Sequence, residues 1–212
     1  VELSAAEVPG LDGSAAPFLA QLAAVGTVAQ EAPKKLLTVR EPVAVSEGEG
    51  SIVAFPGPSL SVSYTLSYPH PLLKAQFASF SAADGASFHE TIAPARTFCL
   101  AEEAEALRAK GFGKGANFEN TLVVGRDGVM NNRLRFEDEF ARHKVLDLLG
   151  DLSLLGGQVQ ARVVAVKSGH PLNIRLVRKL SQAMAQSRLG ALRSGPTEVL
   201  AGPQLDVTQI QR

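Results

Sequence analysis

Phe136-Glu137-Asp138-Glu139-Phe140-Ala141-Arg142-His143-Lys144-Val145-Leu146-Asp147-Leu148-Leu149-Gly150-Asp151-Leu152 reads as a helix with its polar residues gathered on one side. His143, Asp147 and Asp151 follow one another at four-residue steps. Such steps stack side chains on one face, one above the other. An imidazole and a carboxylate one turn apart can grip the same metal ion. Zinc accepts that mix of N and O ligands, and a catalytic zinc takes three protein ligands and leaves one position for water. Val145, Leu146, Leu149 and Leu152 fall on other parts of the wheel and can hold the helix against a core. A polar stripe of this spacing is also what a solvated helix face looks like. Here it runs among Leu-Leu and Leu-Ser-Leu-Leu, which points to burial. A buried histidine with two carboxylates must be ion-paired, metal-bound or both. The pattern by itself leaves these outcomes open.

The chain around this helix has 212 residues, 45% of them hydrophobic, which is enough for one large domain or two small ones with a real core. Its 21 basic and 21 acidic residues cancel, which argues against a nucleic-acid partner held by bulk charge. Cys99 is the single cysteine, so an internal disulfide is excluded and a reducing compartment fits. No apolar run approaches the length that spans a bilayer. The first residue is Val1 and not an initiator methionine, so the natural start is expected upstream, and the lack of a signal peptide says little.

Periodicity and punctuation place the other elements. Pro17 to Val25 is a short helix that Asp12 or Ser14 can cap and Gly26 ends. Glu31-Ala32-Pro33-Lys34-Lys35 is a polar linker and a domain boundary. Strands follow at Leu36–Val39, Pro42–Val45, Ile52–Phe55 and Leu60–Leu66, with another at Phe77–Ser81. Glu102–Lys110 is a helix with Gly111 just beyond it. Leu122–Val124 is a strand before the turn Arg126-Asp127-Gly128. The quoted helix is expected over Glu137–Leu155, a strand over Val159–Lys167, and a last helix from Pro171 to about Arg188. Strands with helices on one face make an α+β fold. The tail from Gly190 mixes Gly, Pro, Ser and polar residues without clear period and reads as disordered.

The quoted helix stands between Ala95-Arg96-Thr97-Phe98 and Lys167-Ser168-Gly169-His170-Pro171-Leu172-Asn173. Between these motifs lie Glu103-Ala104-Glu105-Ala106-Leu107-Arg108-Ala109-Lys110-Gly111 and Asn117-Phe118-Glu119-Asn120-Thr121-Leu122-Val123-Val124, and Glu7 to Phe18 precedes them. In this order the segments resemble the zinc-dependent UDP-3-O-acyl-N-acetylglucosamine deacetylases of lipid A synthesis, the LpxC family, over roughly residues 1 to 180. The resemblance implies a two-layer β-α-α-β sandwich, the second domain of that fold, plus the end of the first domain. Residues 1–32 would be the first-domain remnant. Residues 33–188 would be the second domain, with an insert at about 98–124 that forms a passage for the substrate's acyl chain, and 189–212 a disordered tail.

The same resemblance implies roles. The family hydrolyses the N-acetyl group of a UDP-linked acylated glucosamine and releases acetate. His143 and Asp147 would be two of three zinc ligands. Asp151 would orient and charge-stabilise His170, and His170 would protonate the leaving amine. Thr97 would help hold the oxyanion, Lys144 would face the substrate and support the same negative charge or the diphosphate, and Lys167 would be either a diphosphate contact or a surface lysine. Phe98, Leu100, Leu107, Phe112 and Phe118 would line the acyl passage, or be plain core. The expected partner is the UDP-linked acylated glucosamine, with no nucleic acid and no transmembrane segment, and the chain is expected to be a monomer.

The sequence also departs from the family. The third ligand and the general-base glutamate belong to a Glu-His pair of the first domain, whereas His89-Glu90 has the reverse order in another context. The expectation is an N-terminally incomplete chain, inactive alone. Cys99 stands where bacterial members usually have glycine, and the Met130–Phe136 stretch is short, as in plant or cyanobacterial forms. A plant or algal source would imply mitochondria, a bacterial one the cytoplasm. Ala116 replaces a usual glycine and bears on acyl-length preference. Two other classes remain beside the metal hydrolase: a non-catalytic relative that binds the UDP-sugar lipid, and an α+β module with no ligand.

Overall fold

The computed structural model describes residues 2–4, 8–70, 73, 75–83, 88–111, 113 and 115–193, with the backbone alone at 107, 108 and 187–193. The elements in order are α1 (Ala16–Val25), β1 (Leu36–Thr38), β2 (Val43–Glu47), β3 (Gly50–Pro56), β4 (Ser61–Leu66), β5 (Gln76–Ser81), α2 (Phe88–Thr91), β6 (Phe98–Leu100), α3 (Ala101–Ala109), β7 (Leu122–Gly125), β8 (Gly128–Val129), α4 (Glu139–Ser153), β9 (Gln158–Val166) and α5 (His170–Arg193).

Alternation of apolar and polar residues makes the strands half-buried. In β4, Val62, Tyr64 and Leu66 point into the core, while Ser61, Ser63 and Thr65 do not. In β9, Val159, Ala161, Val163 and Ala165 do the same. The main sheet runs β2-β3-β9-β4-β5, and β1 adds to β9 as a sixth strand. Strand β9 pairs antiparallel with β3 and parallel with β4 and β1. One face is covered by α4, which packs on β4 and β5, and by α5, which packs on β2, β3 and α4. Phe140, Ala141, Val145, Leu148 and Leu152 of α4 meet Leu172, Leu176, Val177 and Leu180 of α5 in this core. The architecture is therefore α+β, one mixed sheet under a helix pair, as the sequence implies. A small second sheet, β6-β7-β8, stands beside it.

Short elements escape a reading by period. Strands β6 and β8 and helix α2 span 3, 2 and 4 residues, too few for a pattern. Helix α5 corrects the tail assignment in part: it continues to Arg193, so residues 189–193 are helical, and 194–212 lie outside the described residues. The N-cap of α1 is Ala15, without a side-chain cap bond, so neither Asp12 nor Ser14 caps the helix as expected; Ser14 instead ties the turn before it. Its hydroxyl accepts from Ala16 N at 3.3 Å and donates to Asp12 Oδ1 at 2.8 Å. The turn before it is held tightly to the rest of the fold. Thr97 N donates to Gly13 O at 2.8 Å. Gly13 has φ +79° and lies so close to Asn120 O that a Cβ would sit 1.9 Å from it, so only glycine fits.

The loop 95–97 is fastened to α4 by a buried ion pair. Arg96, 5% exposed, donates from Nε to Glu139 Oε1 at 2.9 Å and from Nη2 to Oε2 at 3.2 Å. Glu139 is fully buried, and its oxygens also accept from the backbone N of Arg96 (3.1 Å) and of Arg135 (2.6 Å). Two more guanidinium hydrogens go to Asn132 Oδ1 and Arg133 O. Burial alone would raise the Glu139 carboxyl, but the bonds from Arg96 and the two backbone groups hold it below the usual glutamate range. Glu139→Gln should cost about 3–5 kcal/mol, since it leaves the guanidinium without its counter-charge. Urea unfolding at neutral pH measures this. A carboxyl with a lowered folded pKa contributes above its unfolded value, so the gap between wild type and variant should close as pH falls below about 4.3.

Candidate active site

Glu139 is the first of four acidic or imidazole residues at four-residue steps along α4, the others being His143, Asp147 and Asp151. His143 is 9% exposed, one turn beyond the ion pair. Its Nδ1 lies 2.9 Å from Ala95 O. A carbonyl only accepts, so Nδ1 carries the hydrogen and Nε2 keeps its lone pair in the neutral ring. That Nε2 stands 3.3 Å from Asp147 Oδ1. Burial pushes the His143 pKa below the usual value, with the Asp147 charge opposing it. Burial works upward on Asp147, but the imidazole of His143 beside it and the charge and hydrogen bond of Lys144 hold its carboxyl below the usual range. A neutral imidazole nitrogen beside an ionised carboxylate oxygen is a donor pair of the kind zinc takes. The backbone bond at the other ring nitrogen is the usual way such a ligand is oriented. Among the described residues no cluster of three His, Cys, Asp or Glu closes on one point.

The stripe continues to the start of α5. Asp151 Oδ2 lies 2.9 Å from His170 Nδ1, and His170 Nε2 lies 3.9 Å from Asp147 Oδ1. The His170 side chain is 62% exposed. Its turn is held from β4: Lys167, at φ 50°, donates its N to Thr65 O at 3.0 Å, and Tyr64 donates its hydroxyl to Ser168 O. Burial pushes the Tyr64 hydroxyl up to about 12, so it stays a donor at neutral pH.

The structure thus brings His143, Asp147, Asp151 and His170 together. Lys144 does not stand free, because its Nζ donates to Asp147 Oδ2 at 2.9 Å and lies 5.4 Å above the Phe98 ring. Lys167 pairs with Glu49 at 2.7 Å, on the other side of the His170 turn. Thr97 and Phe98 follow Arg96 directly and line a cavity of about 380 Å³ with Cys99, Phe118, Val123 and Met130 among its walls. Phe98 packs its edge on Phe140 and Tyr68. Phe118 is 38% exposed at the cavity. Leu100 packs against the main core. The side chain of Leu107 and all of Phe112 lie outside the described residues. Sequence reasoning gave no role to Arg96, Glu139, Tyr64 or Asn173. The four-residue step from Glu139 to His143 could have found Glu139, and Arg96 and Asn173 stand in the motifs quoted above.

The chain matches the family model of LpxC, UDP-3-O-acyl N-acetylglycosamine deacetylase, over residues 1–182. It belongs to the LpxC family. The match takes in all fourteen elements except the end of α5. Its relatives include the UDP-3-O-acyl-N-acetylglucosamine deacetylase of Thermosynechococcus vestitus, 42% identical over 86% of this chain and 63% of the relative. Those of Syntrophotalea carbinolica and an Anaeromyxobacter species are 39% and 42% identical over 85% of this chain, and 58% and 59% of their own lengths. The chain spans about three-fifths of the length of these LpxC relatives. Among the described residues no helix is long and apolar enough to cross a membrane.

In the metal-free protein the His143 ring should titrate below the ordinary value of about 6.5. A histidine held neutral by the fold contributes stability above that value and loses it as pH falls toward the folded pKa. Histidine resonances followed by NMR across pH test this. A His143 pKa at or above the ordinary value contradicts it.

Proposed function

We propose that the protein containing this chain hydrolyses the N-acetyl group of UDP-3-O-(3-hydroxyacyl)-N-acetylglucosamine and releases acetate, in lipid A biosynthesis, with one zinc ion. The observation that carries this reading is the His143 ring, tied at Nδ1 to Ala95 and turned at Nε2 to Asp147, one helical turn from the Asp151–His170 pair. Family membership supplies the substrate class. His143 and Asp147 are the two zinc ligands within this chain. The third ligand and the general base come from outside these residues, so the chain alone is inactive. Residues 1–32 are in this reading the end of a first domain, and 33–188 the second.

Zinc, when bound, lowers the pKa of its water to about 7 and polarises the amide carbonyl. The residues of this chain add two of the ligands, the general acid and substrate contacts. Both ligands bind unprotonated, which fits a lowered Asp147 carboxyl and a His143 ring kept neutral at neutral pH. Asp151 orients His170, and His170, open to the site, gives its proton to the leaving amine nitrogen. The Thr97 hydroxyl donates toward the carbonyl oxygen as charge develops there. Lys144, between Asp147 and the Phe98 ring, adds positive charge where the cavity adjoins the site. The cavity wall of Thr97, Phe98 and Phe118 takes the acyl chain. Each methylene it buries contributes roughly 0.8 kcal/mol. Lys167 meets the diphosphate. Its partner Glu49 is 83% exposed, and water and salt screen so exposed a pair, so a phosphate can displace it.

The test uses the full-length protein, with zinc measured by elemental analysis and acetate release by assay. His143→Ala should lose zinc. His170→Ala should keep stoichiometric zinc and slow turnover by about 10²–10⁴-fold. Full activity in either variant refutes the role assigned to it. Binding of the UDP-sugar without zinc or turnover in the wild type would favour a non-catalytic relative.

A further inference from the structure

The Asp151 carboxylate has a second partner. Its Oδ2 receives His170 Nδ1 at 2.9 Å and Asn173 Nδ2 at 2.9 Å. Asn173 is 1% exposed, in the first turn of α5, and its backbone N donates to Gly169 O at 2.9 Å. The same residue is therefore fixed both to the turn that carries His170 and to the carboxylate that holds it. His170 needs such help: with its side chain 62% exposed, the core does not choose its rotamer. A carboxylate can also swing about its own bonds unless its oxygens are bound.

The other end of the amide shows what sets its direction. Asn173 Oδ1 is buried with no hydrogen-bond partner. A buried acceptor without a donor is a penalty the fold has to carry. The amide keeps this orientation because reversing it would set Oδ1 against the Asp151 carboxylate, acceptor against acceptor. The charge-assisted bond to Asp151 thus outweighs the unmet acceptor.

We propose that Asn173 is a positioning residue: it locks the Asp151 carboxylate so that His170 presents Nε2 to the Asp147 side of the site. The kinetic part of this inference rests on the deacetylase reading; the structural part does not. Asn173, 1% exposed, acts through Asp151.

The experiment compares Asn173→Leu, which keeps the shape and removes the donor, with wild type in the full-length zinc-loaded protein. The expected result is a fall in kcat of about 10–100-fold, the scale of losses from such supporting partners, with KM and zinc content kept. In an Asp151→Asn background the same change should add less than about twofold, because the residue it acts through has already lost its charge. Equal losses in both backgrounds, a change in KM alone, or unchanged turnover would overturn the proposal. If Asn173→Leu does not fold, Asn173→Ser removes the amide without apolar bulk and must show the same pattern. A second readout needs no turnover: the proton on His170 Nδ1, observed by NMR in the wild type, should exchange faster in either variant. An unchanged exchange rate overturns the positioning role. A wild-type protein that releases no acetate defeats the deacetylase reading, and the NMR comparison then decides Asn173 alone.

Discussion

The site depends on how two consecutive residues of one loop are bound to two consecutive turns of one helix. Arg96 holds Glu139, and the carbonyl of Ala95 holds His143. The first contact is a fully hydrogen-bonded ion pair out of water, which is tolerable only because every oxygen of the carboxylate is met. The second selects the tautomer of the imidazole. Because Ala95 and Arg96 are neighbours, neither contact can shift without the other. The lone pair at His143 Nε2 is thereby aimed along the helix toward Asp147, and Thr97 and Phe98 are delivered next to it.

Helix geometry then explains why one stripe serves three tasks. Four residues advance a helix slightly more than a full turn, by about 40° of rotation per step. Over Glu139, His143, Asp147 and Asp151 the stripe therefore winds through about 120°. Its first residue faces the loop before β6, and its last faces the start of α5. The middle pair faces the gap between them, where the cavity wall begins at Thr97 and Phe98. Pairing with Arg96, the approach of His143 to Asp147 and the contact with His170 follow from position along the same helix. Packing of Val145, Leu148 and Leu152 against the sheet holds this face in place.

What could be read from the sequence reflects which forces act over short range. The strands with clear alternation and the helices of two turns or more were legible, since period and burial coincide in them. So was the closeness of His143, Asp147 and Asp151, which needs only the helical repeat. The link from Asp151 to His170 came from likeness to a family rather than from period, because it joins two elements. Contacts such as Arg96 with Glu139, Tyr64 with Ser168, and Asn173 with Asp151 were not legible. Each joins residues of types that ordinarily lie at the surface or pack in a core, and only the fold puts them together. Lys144 shows the contrast: its bond to Asp147, three residues on, follows from helical spacing, whereas its place over the Phe98 ring does not.

The central claim is that α4 offers one imidazole and one carboxylate to a single zinc ion. Diffraction from crystals of the zinc-loaded full-length protein, collected at the zinc absorption edge, tests it most directly. The account predicts an anomalous peak about 2.0–2.2 Å from both His143 Nε2 and an Asp147 oxygen, with His143 Nδ1 still on the Ala95 carbonyl. A peak elsewhere, or an imidazole turned away from Asp147 in the loaded protein, would contradict it.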